Sequence, residues 1–233
     1  MKKENVYRGG FYLAGLLLLA LGLTCNTQTG LGVSPIISVS YCIASVWDLN
    51  FGDITFLQYS CFVILQMILH AIRDRRLRRQ GMRPAYSLKR MLLTDLLQLP
   101  LSLVFTRFLN LFDLWIPDFS GSPIPERLLA LLAAMVLTGV GAAMSLNMRL
   151  IPNPGDGIVQ TLADFTGKSV GLAKNCFDAL NIAAAILLGL LWTGRLAGVG
   201  VGTVCAVIGI GRVVALFNRL YKSKITALAQ VKE

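Results

Sequence analysis

Six runs of this chain are long and apolar enough to cross a bilayer, and that leaves few folds open to it. They lie at about 10–26, 54–73, 90–112, 127–147, 172–193 and 198–218. A span needs about 20 mostly apolar residues, and in lipid its backbone groups must be satisfied within the segment, which favours helices. Composition agrees: 55% of the 233 residues are hydrophobic, 15% are charged, and mean hydropathy is +0.65, whereas soluble domains carry roughly 25% charged residues. The expected fold is all-α, a polytopic membrane protein forming one integral domain over 1–233. The third run holds Asp95, Gln98, Pro100 and Arg107; it is the least apolar of the six, and Pro100 is expected to kink it. The start is basic and then apolar like a signal peptide, but no A-x-A cleavage site follows; it reads as a retained first span.

Two further apolar segments are too short to cross. They run from about Ser34 to Trp47 and from about Asn153 to Thr166. About 13 helical residues rise about 20 Å, roughly two thirds of a ~30 Å hydrocarbon core. Both open alike, with Ser34-Pro35 and Asn153-Pro154. Ser and Asn are favoured N-caps and Pro suits the first helical position, so both are expected to be short helices with sharp starts.

The chain also repeats. A shift of 119 lays 11–69 on 130–188 and aligns Gly22 with Gly141, Pro35 with Pro154, Ala44 with Ala163 and Gly52 with Gly171. The identities are few, but the order of elements recurs: span, turn, capped short helix, glycine-bearing turn, span, connection, span. The halves are about 10–112 and 127–220. Paired interrupted segments in two halves are the sequence pointer to a transport-type site.

Charge sets the expected topology. The net charge is +10, and seven arginines and one lysine crowd between Arg73 and Arg90. Such a run can contact nucleic acid or anionic lipid, or it marks a cytoplasmic loop, here 74–90, because short cytoplasmic loops are rich in Lys and Arg. Beside spans like these the topology reading is preferred, and no nucleic-acid partner is expected. If all eight apolar segments crossed, the basic loop residues would divide about ten outside to eleven inside, against the positive-inside bias. If the two short helices are re-entrant, 18 lie inside, including Lys2, Lys3, Arg8, Arg83, Arg149, Lys168, Lys174 and Lys232; only Arg107, Arg127 and Arg195 lie outside, with Arg212 set apart inside the last span. Six spans plus two re-entrant helices, in two halves of inverted topology with both termini cytoplasmic, is therefore the expectation.

The run GLGVSPIISVSYCIA and the later NPGDGIVQTLADFTGKSVGLAKNCFD resemble the YczE/YyaS/YitT group of bacterial membrane proteins, the YczE-like branch in particular, over nearly the whole chain. The sharpest elements are Asn153-Pro154-Gly155-Asp156-Gly157 and Lys174-Asn175-Cys176-Phe177-Asp178. In GIGRVVALF, Arg212 stands where the family pattern is expected to have proline. The resemblance implies a bacterial inner-membrane protein and carries no substrate, cofactor or catalytic residue with it.

Three constellations can carry chemistry. The starts of the short helices leave backbone N–H groups and roughly half a positive charge, which suit an anion or polar solute at mid-depth; alternatively Ser34 and Asn153 only cap buried helices. Asp156, Gln160 and Asp164, spaced i, i+4, i+8, form one polar stripe, although Asp156 in the first turn also answers the helix dipole. Their counterparts in the first half are Ile37, Tyr41 and Ser45. Lys174, Asn175, Asp178 and Asn181 begin the fifth span, where Lys174 and Asp178 can pair at i, i+4. An ionisable residue that deep is a functional candidate, or the pair merely locks the span to the short helix. Tyr59 aligns with Asp178. His70, the only histidine, is expected at the membrane interface.

No Ser–His pair, CxxC or phosphate loop is present, and the GxG spacing of Gly198, Gly200 and Gly202 lies in a span and reads as close helix packing. No metal, cofactor or enzymatic activity is expected. The leading expectation is a small-solute transporter or channel-like permease for a polar or anionic solute. Its pathway would be lined by Asn153, Asp156, Gln160, Lys174, Asn175 and Asp178 and, opposite, by Ser34, Tyr41 and Tyr59. The alternatives are a membrane partner that regulates or assembles another complex, or associates as a homo-oligomer, with the arginines as docking surface, and, less favoured, a membrane-embedded enzyme.

Overall fold

A computed structural model of the chain describes residues 3–82 and 87–231. Lys2, Arg83 and Lys232, which the charge argument places inside, lie outside the described residues. The described chain is helical throughout: α1 Lys3–Gln28, α2 Ser38–Trp47, α3 Phe51–Arg79, α4 Leu88–Trp115, α5 Ile124–Asn147, α6 Pro154–Thr166, α7 Val170–Thr193 and α8 Val201–Leu228. Six of these are long and apolar enough to span, and α2 and α6 are the short pair.

Local sequence explains the boundaries. Asn50, Ser87, Asn153 and Ser169 each accept a backbone N–H from the first turn they precede, and Gly167 and Gly194 close α6 and α7 in the left-handed conformation. Ser34 departs from expectation. Its side chain caps nothing, and a single 3-10 turn, Pro35–Ile37, leads into a ten-residue α2. The basic loop is corrected too. Arg73, Arg75, Arg76, Arg78 and Arg79 lie on the final turns of α3 rather than in a loop from 74, because arginine is a good helix former and cations suit a helix C-terminus. α4 continues through Pro100.

The bundle turns its apolar residues outward. Leu57, Ile64, Leu103, Leu128, Leu187 and Val204 are exposed, while Thr24, Ser40, Thr55, Gln66, Asp95 and Gln98 are buried. Water would disfavour that arrangement and lipid favours it. α1 and α5 form the central contact. Gly15 and Gly141 let the two backbones meet: a methyl group on Gly15 would stand 2.6 Å from the Ser145 nitrogen, and one on Gly141 2.6 Å from the Gly15 carbonyl oxygen. Around this pair, α2 packs on α7 and α6 on α3, while α4 lies against α1 and α8 against α5.

Contacts between distant segments define the two ends. At one end the Phe119 N–H donates to Gln28 O, Val33 to Gly198 O and Gly202 to Leu31 O, Arg127 bonds Thr29 O, Arg107 pairs with Asp53, and Trp47 of α2 meets Trp192 of α7. At the other end Arg8 bonds the carbonyls of Met148 and Arg149, Tyr12 bonds Ile151 O, and Arg73 pairs with Asp164 of α6.

Candidate functional site

The starts of the short helices face each other. A methyl group on Gly155 of α6 would lie 2.8 Å from Ile36 Cγ1 in the turn before α2. Beside this contact is a cavity of about 320 Å³ lined by Ser34, Tyr59, Asn153, Asp156, Gln160 and Lys174, with apolar walls from α1, α5 and α8. It has room for about ten waters at roughly 30 Å³ each, the volume of a small metabolite.

Six of the nine residues singled out from sequence thus line one space. Asp178 lies just behind it, buried, with both carboxylate oxygens taking hydrogen bonds from Lys174 Nζ at 2.9 and 3.2 Å. The other two are elsewhere. Asn175 is on the exposed face of α7. Tyr41, in the first turn of α2, packs edge-on to Phe51 and against Gly198 instead. A one-residue difference in helical phase is 100°, so Lys174 and Asn175 cannot face the same way.

Local hydrogen bonds modify the expected chemistry of the α6 start. Asn153 Oδ1 accepts from Gly155 N at 3.0 Å, and the Asn153 carbonyl accepts from Asp156 N and Gly157 N at 2.9 and 2.8 Å. The amides expected to face a solute are therefore already bonded. The Asn153 side-chain Nδ2, buried with its residue 4% exposed, has no hydrogen-bond partner among the described residues. Among the described residues no side chain or backbone donor hydrogen-bonds the Asp156 carboxylate.

The polar stripe of α6 continues into a second cavity. Gln160 and Pro152 border both. The second cavity, about 280 Å³, contains a cluster that the sequence reading did not assemble: His70 Nδ1 lies 2.7 Å from Asp95 Oδ2, and His70 Nε2 lies 3.3 Å from Thr161 Oγ1 of α6. Gln98 bonds Gln66 at 3.1 Å and Asp95 at 3.4 Å. Gly157 leaves room for both glutamines; a methyl group there would stand 2.6 Å from Gln66 Oε1. His70 is therefore buried inside the bundle, its ring held between Asp95 of α4 and Thr161 of α6. Gln66 and His70 at i, i+4, facing Asp95 and Gln98 at i, i+3 in the next span, were the available signal.

The comparisons with known proteins agree on class. The chain is 26% identical over 212 residues to the uncharacterized membrane protein YczE of Bacillus subtilis (strain 168), covering 91% of this chain and 85% of that protein. No solved structure matches. The profile of DUF6198, a family of unknown function, matches residues 6–219, and the chain, a multi-pass helical membrane protein, belongs to that family.

Proposed function

We propose that this protein is a small-solute permease of the bacterial plasma membrane, with no enzymatic step. The observation that carries the reading is the convergence of Ser34, Tyr59, Asn153, Asp156, Gln160 and Lys174, drawn from both halves, on one metabolite-sized cavity. Discontinuous helices that start at mid-depth between two repeats are the usual way membrane transporters build a binding site.

The proposed architecture is two inverted halves, α1–α4 and α5–α8. Contacts support it. The equivalent spans α1 and α5 pack on each other, α2 packs on α7 as α6 packs on α3, and α4 flanks α1 as α8 flanks α5. Re-entry has its own support. Both flanks of α2 contact one end of the bundle, through Val33 with Gly198 and Trp47 with Trp192. Both flanks of α6 contact the other, through Ile151 with Tyr12 and Asp164 with Arg73. The arginine end of α3 belongs to that second end, which the positive-inside bias assigns to the cytoplasm together with both termini.

Transport is tested by uptake and efflux of a pooled metabolite extract in proteoliposomes. Asp156→Asn and Gln160→Ala should abolish movement of the transported component while the protein still inserts and folds. Unchanged flux in both variants, with function lost only when Arg75, Arg76 and Arg79 are neutralised, would move the role from the cavity to the arginine surface.

A further inference from the structure

We propose that the central cavity binds a small organic cation, with an ammonium group against the Asp156 carboxylate, an oxygen acceptor at Asn153 Nδ2, and an apolar body along α1, α5 and α8. As a statement about transport it rests on the permease reading; as a statement about binding it stands alone.

Charge is the first argument. Asp156 and Lys174 are the acid and the base among the described lining residues, and Lys174 is already bonded to both oxygens of Asp178. With both carboxylates ionised, two against one ammonium leave one negative charge in excess, and the half charge of the α6 dipole offsets only part of it. An anion would enter against Asp156 without free helix amides to receive it, since the N–H groups of Gly155, Asp156 and Gly157 are bonded to Asn153. A cation meets a carboxylate to which none of the described residues donates a hydrogen bond.

The orphaned amide is the second, independent argument. The cap fixes which end of the Asn153 amide is oxygen, because only oxygen can accept from Gly155 N. Nδ2 is then a buried donor with nothing to donate to, and such groups are rare in folded proteins and costly. It belongs to a residue that lines the cavity. A carbonyl or hydroxyl oxygen on the solute satisfies it. The remaining lining is supplied largely by Leu19, Leu23, Ala142, Val159, Ile210 and Val214, which suits a short branched or aromatic body rather than a sugar.

Purified full-length protein in detergent at neutral pH, titrated with four matched probes and read by thermal shift, tests this. L-valinamide carries ammonium, carbonyl and an apolar body; 3-methylbutylamine lacks the oxygen, isovaleramide lacks the charge, and isovalerate is the anion. Valinamide should stabilise most, 3-methylbutylamine less, and the other two not at all. Asp156→Asn should weaken valinamide at least about tenfold, the loss of a hydrogen bond to a charged group. Asn153→Asp retains a good cap while deleting the donor, and should erase the preference for valinamide over 3-methylbutylamine. Stabilisation by isovalerate, no response to either amine, or an undiminished response in Asp156→Asn would overturn the assignment. Valinamide binding without its uptake into proteoliposomes leaves the site standing and removes the permease; uptake of an anion without amine binding does the reverse.

Discussion

Removing His70 should expose how strongly the buried cluster holds three helices together. The Asp95 side chain is 4% exposed and that of His70 10%. In His70→Leu the carboxylate loses its 2.7 Å contact and keeps the longer 3.4 Å bond from Gln98. Breaking a buried charged pair in a soluble core costs about 3–5 kcal/mol, whereas side-chain hydrogen bonds between membrane helices average only about 0.6 kcal/mol and reach about 1.7. This pair lies between those limits, since it borders a cavity that also contains Arg90 and Thr94. We expect His70→Leu and Asp95→Leu each to destabilise by about 2–3 kcal/mol and the double variant by less than their sum, with a coupling of at least about 1 kcal/mol. Reversible unfolding by SDS in bicelles, followed by tryptophan fluorescence, measures all four corners of the cycle. Additivity within about 0.5 kcal/mol would show that the 2.7 Å contact does not hold α3 to α4.

Lys174→Met leaves the Asp178 carboxylate, 2% exposed, without its partner, and should sharply lower the yield of monodisperse protein on size-exclusion chromatography; adding Asp178→Asn should restore much of it, because an amide is cheaper than a charge to bury. Gly15→Val should force α1 and α5 apart and lower stability by about 1–3 kcal/mol in the same SDS titration. Gly171→Ala on α7, where a methyl group meets nothing within 4 Å, should be neutral or slightly stabilising.

Element order was legible because several boundaries had a local cause. Pro154 after Asn153 started α6, Gly167 and Gly194 stopped α6 and α7, and lengths separated spans from short helices. Helix ends were less legible at α3 and α8, where apolarity fades at about 73 and 218 but the helices continue to Arg79 and Leu228; lipid-based counting stops where the chain leaves the lipid, while helix propensity does not. The α6 and α7 cavity residues were readable because the polar stripe and the Lys174–Asp178 spacing are local. Ser34 was placed at the cavity but not as a working cap, since the 3-10 turn changes the geometry of its first N–H groups. The His70–Asp95 cluster was missed because its partners come from three helices separated by up to 91 residues, and only tertiary packing brings them together.

Whether α2 and α6 enter and leave on the same face can be read directly by membrane-impermeant thiol labelling in intact cells and inverted vesicles. The five native cysteines are first replaced, and Gly30→Cys, Asn50→Cys, Gln80→Cys, Ser120→Cys, Lys168→Cys and Leu196→Cys are tested one at a time. The account predicts labelling of positions 30, 50, 120 and 196 from outside, and of 80 and 168 only from the cytoplasmic side. Labelling of 30 and 50 from opposite sides, or of 30 and 80 from the same side, would mean that α2 crosses the membrane, and the shared cavity could not then be a solute pathway between two inverted halves.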